Sequence, residues 1–524
     1  MVRLRRRWAL GLLLGGVSAT ALGGSSEPVL SHRRSGPPTR RQTAPVGVDN
    51  RAAGGSWRMP DDVRPADDRR RQIQGYASTT SLAPGESVDF HVAVNPAGPF
   101  QISVKRLGWH DGAGTPRTML TSPALDGTPQ PVPPADPDTG AIACRWPVSW
   151  TLRIPEDWTS GLYQAVFTSA DGWYASTPFV VRDDTRAAAL CVVLPVTTWQ
   201  AYNQWPQDGQ AGKSLYNGYT ASGKRDPALR AREVSFDRPY ADAGQPAHFT
   251  RDQDAVQWLE RNGYDISYAT SFDLHSGRLD PARHRGLIFC GHDEYWSVEM
   301  RRAAEAGLAG GTSLAFFGAN SVYWHIRVRP SADGRPERVV ACAKTDPDPD
   351  EDAAGPTVTW RYLDKPEQSL IGIQYNGIVA TPQPLVVRAA DHWVWAGTGV
   401  ADGDRIPGLV LGEADGVNNG AARPGGLGDT LLSRSPYINR EGAKRVQSTH
   451  VYETPRGAVV FATGTLGWTM ALNRRTHRDE RIERATANVL DRMVNRAPGG
   501  SGPPDRTAPE TAGQPEVSPG ATNR

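Results

Sequence analysis

The chain has 524 residues, with 58 Lys plus Arg against 56 Asp plus Glu and a net charge of only +2. That balance argues against nucleic acid or an anionic membrane surface as a partner, because both attract an excess of positive charge. The length suits two or three domains of about 100–200 residues each, and 16 Trp, 15 Tyr and 11 Phe supply aromatic mass for sizeable cores.

The first 23 residues have the pattern of an export signal. A basic segment at 3–7 precedes an apolar run at 8–21 that ends in the small residues Ala19-Thr20-Ala21. The run is shorter than the roughly 20 apolar residues of a membrane-spanning helix. Three consecutive arginines at 5–7 also allow twin-arginine export, so the choice between that route and general secretion stays open. We expect a secreted or cell-envelope bacterial protein.

Two segments are expected to be disordered, a spacer at 24–66 and a tail at 497–524, since both are polar and rich in Pro and Gly. Between 67 and 185, short runs of alternating apolar residues are separated by Pro, Gly and Asp. This pattern predicts an antiparallel, Ig-like β-sandwich. An accessory or packing role is the simplest interpretation of this domain, and polysaccharide binding is the functional alternative.

Residues 186–496 follow a different pattern, in which apolar strands alternate with helices. Continuous apolar runs at 188–194, 286–290 and 312–317 are typical of strands covered on both faces. Helices are expected from Asp252, as N-cap, to 261 and from Ser297 to 310. This order predicts an α/β fold with a doubly wound parallel sheet, interrupted by a β-rich insertion at about 335–450. The α/β pattern resumes at 457–464 and ends in a helix near 481–494.

Three polar, aromatic-rich segments follow the predicted strands, at 197–203, 291–296 and 318–321. Ligands of open α/β sheets bind at the carboxyl ends of the strands, so these segments predict one concave site. Within the second segment, His292 and Glu294 are two residues apart, and in extended backbone they point to the same side.

Several familiar chemistries lack their motifs. The chain contains no GxSxG, GxxxxGK[ST], HExxH or GxGxxG sequence, which argues against a serine hydrolase, a nucleotide-phosphate loop, a zinc helix and a dinucleotide cofactor. Four cysteines without a CxxC pair argue against a zinc knuckle, and disulfide pairing stays open. Cys290 beside His292 permits a cysteine hydrolase, although no strained nucleophile turn surrounds Cys290 and a buried strand residue is the simpler interpretation.

Several spaced motifs resemble the large (beta) subunit of N,N-dimethylformamidase and occur in the same order as in that family. They lie at 194–203, 214–216, 291–296, 317–320 and 452–455, within a similarity that extends from about 187 to 495. The resemblance implies a glutamine-amidotransferase-like α/β layer beside β-sandwich material, and hydrolysis of a small amide at mononuclear ferric iron.

Matched residue by residue, the resemblance assigns the carboxylate ligand of that iron to Glu294 and one tyrosinate ligand to Tyr202. The second tyrosinate falls on Tyr216, with Tyr219 as a rival. Phenolate and carboxylate oxygens are hard donors that suit ferric iron, and iron bound by them can act as a Lewis acid.

The same match places polar residues around the iron, where they could move protons to the departing amine. These residues are His292, Asn320 and Glu453, with Lys344 as a weaker match. The resemblance also implies a small partner subunit, about which the chain is silent, and a homo-oligomer is possible. Two alternatives to an exported amidohydrolase-like protein stay open: a non-catalytic protein that binds carbohydrate or cell wall, and a cysteine hydrolase using Cys290.

Overall fold

The computed structural model describes residues 63–110, 112 and 114–495. The predicted export signal at 1–23, nearly all of the spacer at 24–66 and the tail at 497–524 therefore lie outside the described residues. No helix in the described ranges has the length and apolar character needed to cross a membrane.

The first part of the described chain contains ten strands, whose bounds are β1 (Arg64–Pro65), β2 (Ile73–Ala77), β3 (Ser81–Leu82), β4 (Ser87–Val94), β5 (Gly98–Leu107), β6 (Arg117–Thr121), β7 (Leu125–Gly127), β8 (Trp150–Arg153), β9 (Gly161–Ser169) and β10 (Trp173–Val181). One sheet has the order β1-β10-β9-β5-β6, with β3 on β10 and β7 on β5, and the other has the order β2-β4-β8. The two sheets share one apolar core. In that core, Phe90 of β4 lies 6.1 Å, between ring centroids, from both Phe167 of β9 and Phe179 of β10.

The second part of the chain begins with strands and helices in alternation. Its elements up to residue 318 are β11 (Leu190–Leu194), α1 (Val196–Tyr202), β12 (Gly218–Tyr219), β13 (Arg225–Asp226), β14 (Glu233–Ser235), α2 (Ala241–Gly244), α3 (Phe249–Arg261), β15 (Ile266–Thr270), α4 (Ser271–Ser276), β16 (Gly286–Gly291), β17 (Tyr295–Ser297), α5 (Val298–Gly310) and β18 (Ser313–Gly318).

The remaining elements are mostly short strands, followed by two helices at the end. They are β19 (Trp324–Arg329), β20 (Val339–Ala341), α6 (Gln368–Ile371), β21 (Gln374–Ile378), β22 (Gln383–Val386), β23 (Arg405–Val410), β24 (Glu413–Gly416), β25 (Leu427–Leu431), β26 (Ser435–Ile438), β27 (Lys444–Gln447), β28 (His450–Glu453), β29 (Val459–Ala462), α7 (Trp468–Asn473) and α8 (Glu480–Asn495). Short 3₁₀ turns lie at Pro227–Leu229, Pro281–Arg283, Trp360–Leu363 and Trp393–Trp395.

A seven-stranded sheet with the order β15-β11-β16-β18-β29-β28-β25 lies at the centre of this part. Its first five strands are parallel, and β28 and β25 are antiparallel to their neighbours. Alternate strand residues enter two different cores. Ile288 packs with residues of α3, α7 and α8, and Phe289 packs with residues of α4 and α5. The apolar run at 286–290 is therefore continuous because helices cover both faces of the strand.

Helix α5 begins as its sequence predicts. The Ser297 side chain accepts a hydrogen bond from Met300 N at 3.2 Å, and Gly311 ends the helix with φ 108°, a conformation open to glycine. The predicted N-cap at Asp252 is wrong, because α3 begins three residues earlier at Phe249. Asp252 is buried in its first turn and accepts a hydrogen bond from Trp199 Nε1 at 2.9 Å.

A buried ion pair connects the first sheet to the second part of the chain. Arg106 of β5 and Glu260 of α3 lie 2.9 Å apart, and both side chains are 0% exposed. Trp109 N and Tyr268 Oη also donate to the Glu260 carboxylate, at 2.9 and 2.8 Å. The contact holds the two parts of the chain together through a fully desolvated charge pair.

Replacing Glu260 by Ala is expected to lower the free energy of unfolding by about 3–5 kcal/mol, because the substitution leaves a buried arginine without its countercharge. Urea denaturation followed by circular dichroism measures the loss. Glu156→Ala is the matched control, since the Arg153–Glu156 pair is 72% and 78% exposed and such pairs contribute about 0–1 kcal/mol. Equal stability of the two variants would contradict this account of the contact.

Candidate functional site

The three segments predicted to meet at the edge of the sheet do so. They follow β11, β16 and β18, which are adjacent parallel strands. The ends of β16 and β18 lie close to each other and to Asp252. A Cβ on Gly318 would lie 1.7 Å from Gly291 O, and a Cβ on Gly291 would lie 2.3 Å from Asp252 Oδ1. Glycine at both positions lets the backbone of β16 and β18 carry the following side chains into one site.

The first of these segments, at 197–203, lies almost entirely in helix α1 (Val196–Tyr202). Six of the seven residues of α1 are buried, so packing, rather than the weak helix propensity of its two threonines, determines its structure. Thr198 Oγ1 accepts hydrogen bonds from Glu294 N at 3.0 Å and Tyr295 N at 3.3 Å. This contact fixes α1 against the segment that carries the candidate carboxylate.

Three oxygen-bearing side chains converge at the centre of the site. Tyr202 Oη donates to Glu294 Oε2 at 2.9 Å, and Tyr216 Oη lies 2.8 and 2.7 Å from Glu294 Oε1 and Oε2. The two phenol rings stack with their centroids 4.3 Å apart. Both hydroxyls therefore lie against one buried carboxylate. Tyr219, the rival to Tyr216, belongs instead to the β12–β13 hairpin.

His292 lies beside this carboxylate, as predicted from its spacing to Glu294. Its Nδ1 donates to Ala319 O at 3.0 Å, which directs Nε2 to the cluster. Nε2 lies 3.1 Å from Tyr202 Oη, 3.3 Å from Glu294 Oε2 and 3.6 Å from Glu413 Oε1. The imidazole thus bridges the two carboxylates of the site.

Asn320 also reaches the cluster, and it does so through a second acidic residue. Its Nδ2 donates to Glu413 Oε2 at 2.6 Å, and its backbone N donates to Asp415 Oδ1 at 2.8 Å. Asn320 has φ 56°, and its Oδ1 is buried without a hydrogen-bond partner. A residue held in this strained conformation with an unpaired acceptor indicates a functional position.

Glu413, Asp415 and His248 also lie at the cluster, although no sequence pattern predicted them. Glu413 and Asp415 lie on β24, in a small two-stranded sheet, where the strand-end rule for parallel sheets does not apply. The available signal was the Gly412-Glu413-Ala414-Asp415-Gly416 sequence, which places two acids between glycines. The His248 ring lies 5.2 Å from that of Tyr202 and 5.1 Å from that of His292, and its sequence context carries no motif.

Lys344 is buried beside the phenols. Its Nζ lies 3.5 Å from the Tyr216 ring centroid, 4.7 Å from that of Trp324 and 5.4 Å from that of Tyr295. An ammonium surrounded by aromatic faces is stabilised by cation–π attraction. Burial nevertheless lowers the pKa of Lys344 to about 8. Lys344 therefore packs directly against the ring of Tyr216, a candidate metal ligand.

Glu453 does not reach the site. It lies at the end of β28, paired with Val459 at the start of β29, so it occupies the edge of the sheet opposite to the site. Its carboxylate binds Arg492 of α8 at 2.7 Å. The motif at 452–455 therefore marks a sheet edge away from the cluster, and the acidic residue beside His292 and Asn320 is Glu413.

Burial and charge shift the ionisation of the cluster in opposite directions. Burial, and then the Glu294 charge, raise the pKa of Tyr202 and Tyr216 well above their ordinary value. Burial also opposes the charge of Glu294, but the hydrogen bond and charge of His292 outweigh it and lower the pKa. Burial raises the pKa of Glu413. The pKa of Glu294 is thus shifted down and the pKa of Glu413 is shifted up.

A cavity of about 280 Å³ lies beside the cluster, lined among others by Tyr202, Gln207, Tyr240, Gln245 and His248. Its volume is just below the range for small-molecule sites, about 300–1,000 Å³. The cavity adjoins the Tyr202 side of the cluster and admits only a small ligand.

Cys290 does not belong to this cavity. It is buried in β16 at 1% exposure, and burial raises the pKa of its thiol well above its ordinary value. A nucleophilic cysteine needs access and a stabilised thiolate, and this position has neither. All four cysteines are buried and unpaired.

The donor set at the centre of the site is two phenols and one carboxylate. No group of three His, Cys, Asp or Glu within the described part of the chain is arranged to hold a metal ion, so a metal here would depend on the tyrosines. Hard oxygen donors of this kind favour ferric iron over soft metals.

The chain matches a known protein family over most of its length. The family described as N,N-dimethylformamidase beta subunit-like, C-terminal, matches residues 101–481. The N,N-dimethylformamidase beta subunits of Paracoccus aminophilus and an Alcaligenes species are 23% and 22% identical to this chain over 68% of its length. The chain spans about 55% of the length of each of these relatives.

Similarity to solved structures is far weaker. A protein described as a superoxide reductase from Thermotoga maritima aligns over 24% of this chain and 99% of its own length, at 16% identity. The TM-score of 0.16 is too low to indicate a shared fold. The family match covers most of the chain and includes Tyr202, Tyr216 and Glu294, which confirms the resemblance found in the motifs. The chain belongs to the N,N-dimethylformamidase beta subunit-like family.

Proposed function

We propose that this chain hydrolyses a small amide at a mononuclear ferric iron held by Tyr202, Tyr216 and Glu294. One observation carries the proposal: both phenol oxygens lie within 2.9 Å of a single buried carboxylate oxygen, Glu294 Oε2. Few structural roles require two tyrosine hydroxyls on one buried carboxylate, whereas three convergent oxygens form one face of an iron site.

The residues present fit ferric iron in charge as well as in geometry. Two phenolates and a carboxylate supply three negative charges, which balance a trivalent cation. Without the metal both phenols hold their protons, since burial raises their pKa values, and they use those protons to bind Glu294. Iron would replace these protons, and its binding is accordingly coupled to proton release.

Bound there, ferric iron would supply Lewis acidity toward an amide carbonyl and toward water. The chain's own residues would supply the proton chemistry. Glu413 lies between Asn320 Nδ2 and His292 Nε2, and burial raises its pKa in the direction that suits a general acid. We assign Glu413 to proton delivery to the leaving amine, and His292 to its orientation.

The size of the cavity supports a small substrate. Its 280 Å³ leaves room for a compact amide. The relatives are named as beta subunits of N,N-dimethylformamidase, which supports a formamide-like substrate and a partner subunit for this chain. Size-exclusion chromatography with light scattering tests for a homo-oligomer, and co-purification from the source cells tests for a second subunit.

Substitution of Cys290 distinguishes the iron mechanism from a cysteine mechanism. Replacing Cys290 by Ala is expected to leave amide hydrolysis within about twofold of wild type, because the thiol is buried away from the cavity and its replacement costs packing alone. Hydrolysis is measured as amine released from N,N-dimethylformamide by iron-loaded protein. Abolished turnover in a folded Cys290→Ala protein, with full turnover in Glu294→Gln, would establish the thiol mechanism instead.

A further inference from the structure

A second cavity opens in the β-rich part of the chain and shares no lining residue with the cavity beside Tyr202. Its volume is about 710 Å³, and its walls include residues of β21, β24 and β27. Polar and aromatic side chains dominate these walls. The residues that bear on its ligand are Tyr323, Arg361, Gln374, Tyr375, Asn439 and Arg445.

Gln374 lines this cavity and carries a buried acceptor without a hydrogen-bond partner. The residue is 5% exposed, and its Oε1 is buried without a hydrogen-bond partner. An unpaired buried acceptor costs free energy, and native proteins retain one where a ligand or water supplies the missing donor. The group missing here is a hydroxyl or an N–H, because Oε1 can only accept.

Two tyrosines supply an aromatic wall. The rings of Tyr323 and Tyr375 lie 5.3 Å apart at an angle of 64°, and the Arg361 guanidinium lies 5.1 Å from the Tyr323 ring centroid. Arg361 is itself fixed, since it pairs with the buried Glu367 and donates to Tyr375 O at 3.3 Å. The wall is therefore pre-organised and needs little ordering when a ligand binds.

The charges of the cavity are mixed. The lining residues include the cations Arg361 and Arg445 and the anion Glu441, and Arg361 already has a carboxylate partner in Glu367. Asn439 adds an amide at 5% exposure, whose Oδ1 accepts from Ala443 N. A site for a simple anion would not place an unpaired acceptor in its wall, whereas a hydroxylated ligand can donate to Gln374 and accept from the amide and guanidinium groups.

We propose that this cavity is a saccharide-binding site, in which sugar hydroxyls bind Gln374 and the polar wall while the C–H face of the ring packs on Tyr375 or Tyr323. The two cavities are lined by different residues, but the second cavity adjoins the backbone of the proposed iron site, since Tyr323 N donates to Glu294 O at 2.9 Å.

The test is calorimetric titration of the full chain with glucose, N-acetylglucosamine, cellobiose, maltose and N,N′-diacetylchitobiose, with citrate as an anionic comparison. We expect saturable binding of at least one sugar. Replacing Gln374 by Leu is expected to weaken that binding about tenfold, because the acceptor is lost, while the fold keeps a side chain of similar volume. Tyr375→Ala is expected to weaken it further by removing the aromatic surface.

Gln383→Leu is the matched control, because Gln383 lies on β22 outside the cavity and bonds to Thr381. It should bind sugar as wild type does. The proposal is overturned if no sugar in the panel binds, if citrate binds and the sugars do not, or if Gln374→Leu binds sugar as tightly as Gln383→Leu. Melting temperatures identify any variant that has lost its fold, and Gln374→Leu, which removes an unsatisfied group, is expected to melt no lower than wild type.

Discussion

Tyr202→Phe and Tyr216→Phe are each expected to lose iron and amide hydrolysis together. Each substitution removes one oxygen donor while it keeps the aromatic ring, so the ligand set falls from three to two. We expect iron content to fall well below stoichiometric and turnover to fall by at least ~10²-fold, since even outer groups of metal sites cost 10–100-fold when removed. Iron is measured by mass spectrometry and turnover by amine release.

Tyr219→Phe separates this assignment from its rival. Tyr219 belongs to a two-residue strand in the β12–β13 hairpin, while the hydroxyl of Tyr216 lies on the Glu294 carboxylate. The Tyr219 variant should therefore keep its iron and its activity. Thermal melts of all three variants control for folding, because loss of one buried hydrogen bond to a carboxylate costs about 1.5–3 kcal/mol. Iron retained in Tyr216→Phe and lost in Tyr219→Phe would reverse the ligand assignment.

Glu413→Gln is expected to keep iron but lose most of its turnover. Glutamine preserves the shape of the side chain and can still accept from Asn320 Nδ2, yet it cannot deliver a proton. General acid–base groups contribute roughly 10²–10⁴-fold to rate, and we expect a fall in kcat within that range with little change in iron content. Steady-state kinetics on iron-matched samples measures it.

Glu453→Gln is the natural control for Glu413→Gln. The sequence motif suggested Glu453 as a catalytic group, and the structure places it with Arg492 at the far edge of the sheet. Its variant should keep kcat within about twofold of wild type, with a small loss of stability. Loss of kcat in Glu453→Gln together with full activity in Glu413→Gln would contradict the site described here.

Local sequence patterns located the strands and the edge at which the site forms. The apolar run at 286–290 appears as β16 (Gly286–Gly291), and the Ser297 cap is confirmed. The clustering of Tyr202, His292, Glu294 and Asn320 follows from rules for adjacent parallel strands, which depend only on the order of elements along the chain. Export, the doubly wound fold class and the β-sandwich stay predictions.

The residues that sequence patterns missed are those that long-range packing brings into the site. Glu413 lies 93 residues beyond Asn320, to which it is hydrogen-bonded, and no local pattern reports such a contact. The start of α3 was missed because its N-cap, His248, has φ 68° and makes no side-chain cap hydrogen bond. Glu453 was misassigned because a motif gives the order of residues without the direction of the strand that carries them.

The central claim is that this chain holds ferric iron on two tyrosinates and a carboxylate. Metal analysis and visible absorption of the full-length protein, purified from iron-supplied cells, test it most directly. The account predicts about one iron per chain and a visible phenolate-to-iron charge-transfer band that disappears in Tyr202→Phe. A colourless protein without stoichiometric iron, or a band of unchanged intensity in Tyr202→Phe, would contradict it.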